Sequence, residues 1–305
     1  MSRGTGVLRV ATLNIWNRSG PWSLRLSLIR HEIERLRPDV IGLQEVFADV
    51  DRHCRWETAA LGPPGTGVPN GMLESCQASE IARGLGYTVA YLPVSDQGVA
   101  KGGGVTRRLQ GNAVLSRFPI RSFQAHDLPT PPGAEPRSVL HADIETPWGE
   151  LGFFVTHLSW GPGRAPDRTQ QADVVADCVE TFYDTARPML PAIVVGDFNA
   201  QPHDDPIRRL INGSVSFVDA WEAGGDGTPG ATYDPRNAFV ADLDGPARRI
   251  DYIFVCRQHP QCMPDTITTR ICFAEPSMAQ HMDLWPSDHF GVMSDMTFTP
   301  LACPG

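Results

Sequence analysis

Twice along this 305-residue chain, once in each half, the pattern of a strand is followed by that of a helix and then of a second strand, and the strands finish on polar residues. In the first half, LRVATLN alternates Leu8, Val10 and Thr12 with their neighbours and ends in Asn14. SLRLSLIRHEIERLRP then carries Ile29, Ile33 and Leu36 on a helical stripe closed by Pro38, and PDVIGLQE is a continuous apolar run ending in Glu45. In the second half, GELGFFVTHL ends near His157, and RTQQADVVADCVETFYDTA places Ala172, Val175, Val179 and Phe182 at helical spacing before the buried strand PAIVVGDFN. Such a chain suits packed sheets covered by helices rather than a helix bundle, and its 29 Gly and 27 Pro supply turns between short elements. With 41% hydrophobic and 20% charged residues and no clear linker, residues 1–305 read as one sizeable unit sharing a core.

Chemistry-bearing residues collect at the strand ends. GDFNAQP puts Asp197 and Asn199 two residues apart, on one side of a strand end, so that an acid and an amide face the same way. RRIDYIFV places Asp251 at the start of a strand, and PSDHFGVMSDMTF opens another with the adjacent pair Asp288 and His289. Two stretches read as long loops, Asp49 to Gln77 with its LGPPGTGVPNG, and TPPGAEPR. KGGGVTRRLQG reads as a glycine-rich loop carrying Lys101, Arg107 and Arg108.

Several classes fall away on composition. A formal charge of −9 gives no electrostatic footprint for a long polyanion, so nucleic acid is not a favoured partner, although Lys101, Arg107 and Arg108 could form a local basic patch. The N-terminal MSRGTGVLRVATLN lacks the apolar core of a signal peptide, and no segment reaches the roughly 18 apolar residues of a membrane span. The expectation is a soluble, cytoplasmic protein with no protein partner implied. Seven cysteines without a CxxC pair fit reduced structural thiols, with Cys256 and Cys262 the best candidates for a bridge.

Glu45, Asp197, Asp251 and Asp288 are hard oxygen ligands or bases, Asn14 and Asn199 are amides, and His157 and His289 are titratable groups. Oxygen-rich sites of this kind suit Mg²⁺, or alternatively Mn²⁺ or Ca²⁺, rather than zinc. The chain has no G-x-S-x-G elbow, P-loop or dinucleotide fingerprint.

In order and in local wording, ATLN, LQE, GNAVLSRFP with Asn112, THL, GDFN, RRIDYIFV and SDH resemble the endonuclease/exonuclease/phosphatase superfamily of metal-dependent phosphoesterases. Each motif is short, but together they span nearly the whole chain. The resemblance implies an α/β (α+β) fold, a four-layered αββα sandwich of two packed mixed sheets flanked by helices, with the site at the edge where strand ends meet. It also implies roles. Glu45 would bind the divalent metal with help from Asn14, and Asp288 would assist from the other side. Asp197 would activate or orient the attacking water, Asn199 would fix the phosphate, and His289, held by Asp251, would contact the phosphate. His157 resembles the histidine of the DNase I, sphingomyelinase and inositol phosphatase branches, which can donate a proton to the leaving oxygen; the exonuclease III branch has a tyrosine near this point.

Substrate contacts are less defined. Asn112 and Arg137 are candidates for phosphate contact, the latter equally readable as a surface residue. Trp16, Trp160 and Trp285 each lie within three residues of a site motif, which suggests an aromatic rim for a base, lipid or alkyl group. The same tryptophans could simply cap the sheet edge. Three readings follow: a phosphodiesterase for a small or lipid-like phosphoester, a DNase I-like nuclease needing a basic groove, and a non-catalytic phosphoester-binding module, against which the full residue set argues.

Overall fold

The computed structural model describes residues 6–50, 76–101, 104–185, 190–240, 245–279 and 282–298. The first half contributes β1 (Gly6–Asn14), α1 (Trp22–Leu36), β2 (Val40–Val50), α2 (Gln77–Ala82), β3 (Thr88–Asp96), β4 (Val99–Lys101) and β5 (Gly104–Ser116). From there the chain runs through β6 (Ile120–Leu128), β7 (Arg137–Thr146), β8 (Gly149–His157), α3 (Ala165–Thr185), β9 (Ile193–Asp197), α4 (Asp205–Asn212), β10 (Phe217–Asp219) and α5 (Ala220–Gly224). It closes with β11 (Asp251–Cys256), β12 (Thr266–Cys272), β13 (Ser277–Ala279), β14 (Met282–Leu284) and β15 (Gly291–Phe298). One sheet has the order β12-β15-β1-β2-β5-β3, with β4 paired to β5; the other runs β10-β11-β9-β8-β7-β6.

The repeated strand–helix–strand unit becomes the one parallel step in each sheet, β1 beside β2 and β8 beside β9. A parallel pair needs a crossover long enough to return the chain to the same end, and α1 and α3 provide it. Alternation then sorts the side chains into layers. In β1, Leu8 and Val10 face the other sheet, whereas Ala11 and Leu13 face α1. In β11, Ile253 and Val255 enter the same central layer, whereas Tyr252 and Phe254 pack under α3 and α4. The helical stripes are buried as the spacing requires, Ile29 and Ile33 on α1, Val175 and Val179 on α3. The four layers are helix, sheet, sheet and helix.

Several expectations need correction. The strand containing Glu45 does not end there: it continues to Val50, paired with Arg107–Gly111 of β5 across a register shift between Leu43 and Val46. Of the long loop expected from Asp49 to Gln77, Asp49 and Val50 are therefore strand and Gln77 begins α2, while 51–75, including LGPPGTGVPNG, lies outside the described residues. Of the expected glycine-rich loop KGGGVTRRLQG, Lys101 ends β4 and Gly104 onward is β5, its antiparallel partner, while Gly102 and Gly103 lie outside the described residues. Arg107 is paired with Asp96 and Arg108 with Asp49, each at 2.7 Å, so neither offers a free positive charge; the Lys101 side chain lies outside the described residues. Finally, Cys256 and Cys262 form no disulfide, and neither do Cys76, Cys178 and Cys272. TPPGAEPR is a loop up to Pro136, with Arg137 beginning β7, and no described helix is long and apolar enough to cross a membrane.

Candidate active site

Parallel β1 and β2 bring Asn14 and the Glu45 bulge to one edge of the first sheet, and antiparallel β15 begins at that same edge just after Asp288 and His289. In the second sheet, His157, Asp197 and Asp251 are register partners on adjacent β8, β9 and β11. Neighbouring strands lie about 4.8 Å apart, so three ionisable side chains share one row.

Backbone strain marks the same edge. Trp16, Asn17, Glu45 and Asn199 have φ of 53°, 40°, 56° and 49°, a left-handed region that non-glycine residues enter at a cost. At Glu45 the strain is the bulge that turns its carboxylate into the cleft between strands. Gly196, just before Asp197, has φ of +149°, and a Cβ there would stand 1.9 Å from the Thr156 carbonyl oxygen, so GDFN needs its glycine.

Asp197 is the hub. Its Oδ1 accepts the Asn199 backbone N–H at 2.8 Å, and its Oδ2 accepts Asn14 Nδ2 at 3.1 Å. The Nε2 atoms of His157 and His289 approach that Oδ2 from two sides, at 3.4 and 3.8 Å. Burial first, and then the charge of Asp251, push the Asp197 carboxyl up to about 7, against the pull of His289 and its two hydrogen bonds. Behind His289, Nδ1 meets Asp251 Oδ2 at 2.9 Å. Burial disfavours the imidazolium, but Asp251, Asp288 and Asp197 outweigh it and hold His289 well above the usual histidine range.

At the edge of the first sheet, Asn14 Nδ2 also donates to Glu45 Oε1 at 3.2 Å, and Asn17 Nδ2 donates to Glu45 Oε2 at 2.9 Å. Glu45 and Asp288 are both half-buried, and burial followed by repulsion from Glu45 raises Asp288 to about 6. Two hard carboxylates beside an amide are donor chemistry that a divalent cation fits. Asp197, Asp251 and His289 also bring ligand-type atoms within 4.8 Å of one another, a second grouping that could hold a metal ion. There, Nδ1 of His289 already bonds Asp251 at 2.9 Å.

Other residues are engaged differently than their motifs suggest. Asn199 Nδ2 donates to the Leu158 carbonyl at 3.1 Å, which orients the amide at the cleft. Asn112 is buried, and its Nδ2 donates to the Ser138 and Val155 carbonyls at 3.2 and 3.4 Å, pinning β5 to the other sheet. Arg137, the first residue of β7, is buried rather than on the surface; it reaches His157 Nδ1 at 3.2 Å and Glu135 at 3.0 Å. Trp16 stacks on Phe239 at 5.1 Å, while Trp160 stands 65% exposed beside a cavity of about 520 Å³ bounded by Gln97, Glu135, Arg137, Ser159 and Arg164. Trp285 is not part of a rim: it is buried against Phe290, ring centroids 5.5 Å apart.

Sequence reasoning missed four contributors. Asn17 shares Glu45 with Asn14, and Ser287 Oγ donates to the Asn14 carbonyl at 2.6 Å, joining the SDH turn to β1. Tyr233 sets its ring edgewise to His289 at 5.1 Å. Arg25, fully buried on α1, donates to the carbonyls of Ile15, Asn17, Ser19 and Pro286 and so ties the loop after β1 to the turn before Asp288. Ser287 lies inside the SDH motif, whereas Asn17 stands three residues past ATLN, and Tyr233 and Arg25 carry no local signal.

Residues 11–289 match the model of the Endonuclease/Exonuclease/phosphatase family. An uncharacterized protein of Caenorhabditis elegans is 23% identical over 314 residues, covering 95% of this chain and 91% of that protein. Among solved structures, an endonuclease/exonuclease/phosphatase family protein from Bacteroides thetaiotaomicron superposes with a TM-score of 0.68 at 21% identity, covering 97% of each chain. TDP2 from C. elegans superposes with a TM-score of 0.65 at 19% identity, covering 96% of this chain and 75% of that one. At such identities the structural likeness speaks for the fold alone.

Proposed function

The chain belongs to the endonuclease/exonuclease/phosphatase family, and from that premise we propose that it is a divalent-metal-dependent phosphodiesterase acting on a small or lipid-like phosphoester by in-line attack of water. The observation that carries this reading is the convergence of two histidine Nε2 atoms and an asparagine amide on Asp197 Oδ2. One carboxylate oxygen is thereby set among three side-chain nitrogens supplied by strand ends of both sheets. Residues 1–305 act, on this proposal, as one catalytic unit, since both sheets supply side chains to it.

Asn14, Glu45 and Asp288 would hold the cation, Mg²⁺ first among candidates. When bound, it supplies electrostatic stabilisation to a phosphoryl oxygen. Asp197 takes the proton of the attacking water, a task suited to a base raised towards neutrality. His289, kept charged by Asp251, donates from Nε2 to a phosphoryl oxygen as negative charge grows there, and Asn199 supplies a second donor. His157 lines the opposite wall, next to Arg137 and the cavity under Trp160, which we assign to the leaving portion of the substrate. Trp16 flanks the metal side. The paired state of Arg107 and Arg108 supports a small or lipid-like substrate over a long nucleic acid. Free thiols at five positions support a reducing, cytoplasmic setting.

The test is turnover of bis(p-nitrophenyl) phosphate with Mg²⁺, followed by a panel of choline and inositol phospholipids and supercoiled plasmid. We expect activity that EDTA abolishes and that extends to phospholipids without nicking. No turnover of any diester would overturn the catalytic reading, and plasmid nicking that falls steeply with salt would move it to a nuclease.

A further inference from the structure

His157 and Arg137 form a pair whose chemistry is unusual for two side chains that both carry positive charge when protonated. Arg137 Nη1 lies 3.2 Å from His157 Nδ1, both residues are buried, and Arg137 is itself anchored by Glu135 at 3.0 Å. A guanidinium has only N–H groups to offer and does not give up its proton, so the ring atom facing it must be the acceptor. The single ring proton of His157 then sits on Nε2, the atom 3.4 Å from Asp197 Oδ2.

We propose that Arg137 is a positioning residue that locks His157 in the neutral Nε2–H tautomer, making it a fixed hydrogen-bond donor to the reacting phosphate instead of an acid that protonates the leaving oxygen. This departs from the proton-donating role that the resemblance implies, and it rests on the phosphodiesterase reading above only for what lies opposite Nε2. A doubly protonated ring would turn an Nδ1–H against the guanidinium, leaving two donors face to face. The groups around the ring are Arg137 on β7, Asp197 on β9 and His289 ahead of β15, so one anion is set against two cations. Burial and then Arg137 and His289 accordingly keep His157 well below the usual histidine range.

A donor of this kind keeps its proton throughout the reaction. Its contribution is geometric, and it must not depend on how basic the departing oxygen is. A general acid behaves oppositely, mattering most where the leaving group is poor.

The test reads the ring directly. In the full chain labelled with ¹⁵N-histidine, long-range proton–nitrogen spectra should show His157 as a neutral Nε2–H tautomer between pH 5 and 8, and Arg137→Met should convert it to a tautomer mixture or a titrating ring while His289 signals stay in place. A His157 that is doubly protonated or Nδ1–H in the wild type, or a spectrum unmoved by Arg137→Met, overturns the proposal. The wild-type spectrum alone decides if that variant fails to fold. In kinetics, His157→Ala should lower turnover of bis(p-nitrophenyl) phosphate and of diphenyl phosphate alike, by on the order of 10² for each and within about threefold of one another. A loss about tenfold larger on diphenyl phosphate, whose phenolate leaves less readily, would restore the general acid. Because the spectra need no substrate, failure of the phosphodiesterase reading and failure of the tautomer lock are told apart.

Discussion

Two histidines reach Asp197 from opposite walls of the cleft, and they differ in one respect that decides their chemistry. Both are buried, and both aim Nε2 at the same carboxylate oxygen, at 3.4 Å for His157 and 3.8 Å for His289. Behind His157 stands a guanidinium; behind His289 stands the carboxylate of Asp251. Burial alone would drive both rings neutral, so the opposite directions of their shifts come from the partner at Nδ1 and its surroundings. The β7–β8 wall therefore holds a neutral donor, and the β11–β15 wall holds a charged one.

Changing the partner on the charged wall gives the largest expected effect. Asp251→Asn removes the anion that keeps His289 protonated, and turnover should fall by on the order of 10² to 10³. The sign of the pH effect follows: a histidine raised above its ordinary value keeps its proton until pH climbs past that raised value, so the variant should lose activity at lower pH on the alkaline side than the wild type. Unchanged turnover and an unchanged alkaline limb in Asp251→Asn would erase the contrast between the walls.

The wild-type acid limb comes next in size. Asp197 is raised to about 7 and acts in its ionised form, so kcat/KM should decline as pH drops below about 7, approaching tenfold per unit. His157, neutral on this account, adds no second inflection between pH 5 and 8. A flat profile from acid to neutral pH would contradict the role of Asp197, and two acid inflections would contradict the neutral wall.

Asn112 braces the neutral wall through the carbonyls of Ser138 and Val155. Asn112→Ala should cost about 1–2 kcal/mol in denaturant unfolding, the scale for stranded buried hydrogen-bonding groups. It should shift His157 signals while leaving those of His289 unmoved; turnover falling with stability intact would instead assign Asn112 to the phosphate. The smallest effect belongs to Trp160. As an exposed side chain, its replacement by Ala should change stability by no more than about 0.5 kcal/mol. KM for an aryl diester should rise a few-fold with kcat nearly constant, and an unchanged KM would remove the leaving group from that wall.

The contrast between the walls also marks what a sequence can disclose. The β–α–β units at α1 and α3, and the polar strand ends at Asn14, His157, Asp197 and Asp251, were legible because periodicity is a local property. The bulge at Glu45 was not, since it arises from register against β5, more than 60 residues on, and an apolar run reads the same with or without it. Nor could Trp285 be read as buried, because its position depends on how the SDH turn docks on β1 through Ser287. Arg137 is the sharpest case. In linear sequence it stands 20 residues from His157 and looks like one more loop arginine; only the β7–β8 pairing brings it to Nδ1. Motifs located the ionisable groups, whereas their protonation states depended on partners that folding selects.

Beneath both walls lies the claim that Asp197 is the base of a metal-dependent phosphodiesterase. Turnover of bis(p-nitrophenyl) phosphate with Mg²⁺ by the wild type and Asp197→Asn, measured side by side on folded protein, tests it most directly. The account predicts a wild-type rate lost to EDTA and lowered in the variant by on the order of 10² to 10³. A variant that turns over as fast as the wild type would contradict it.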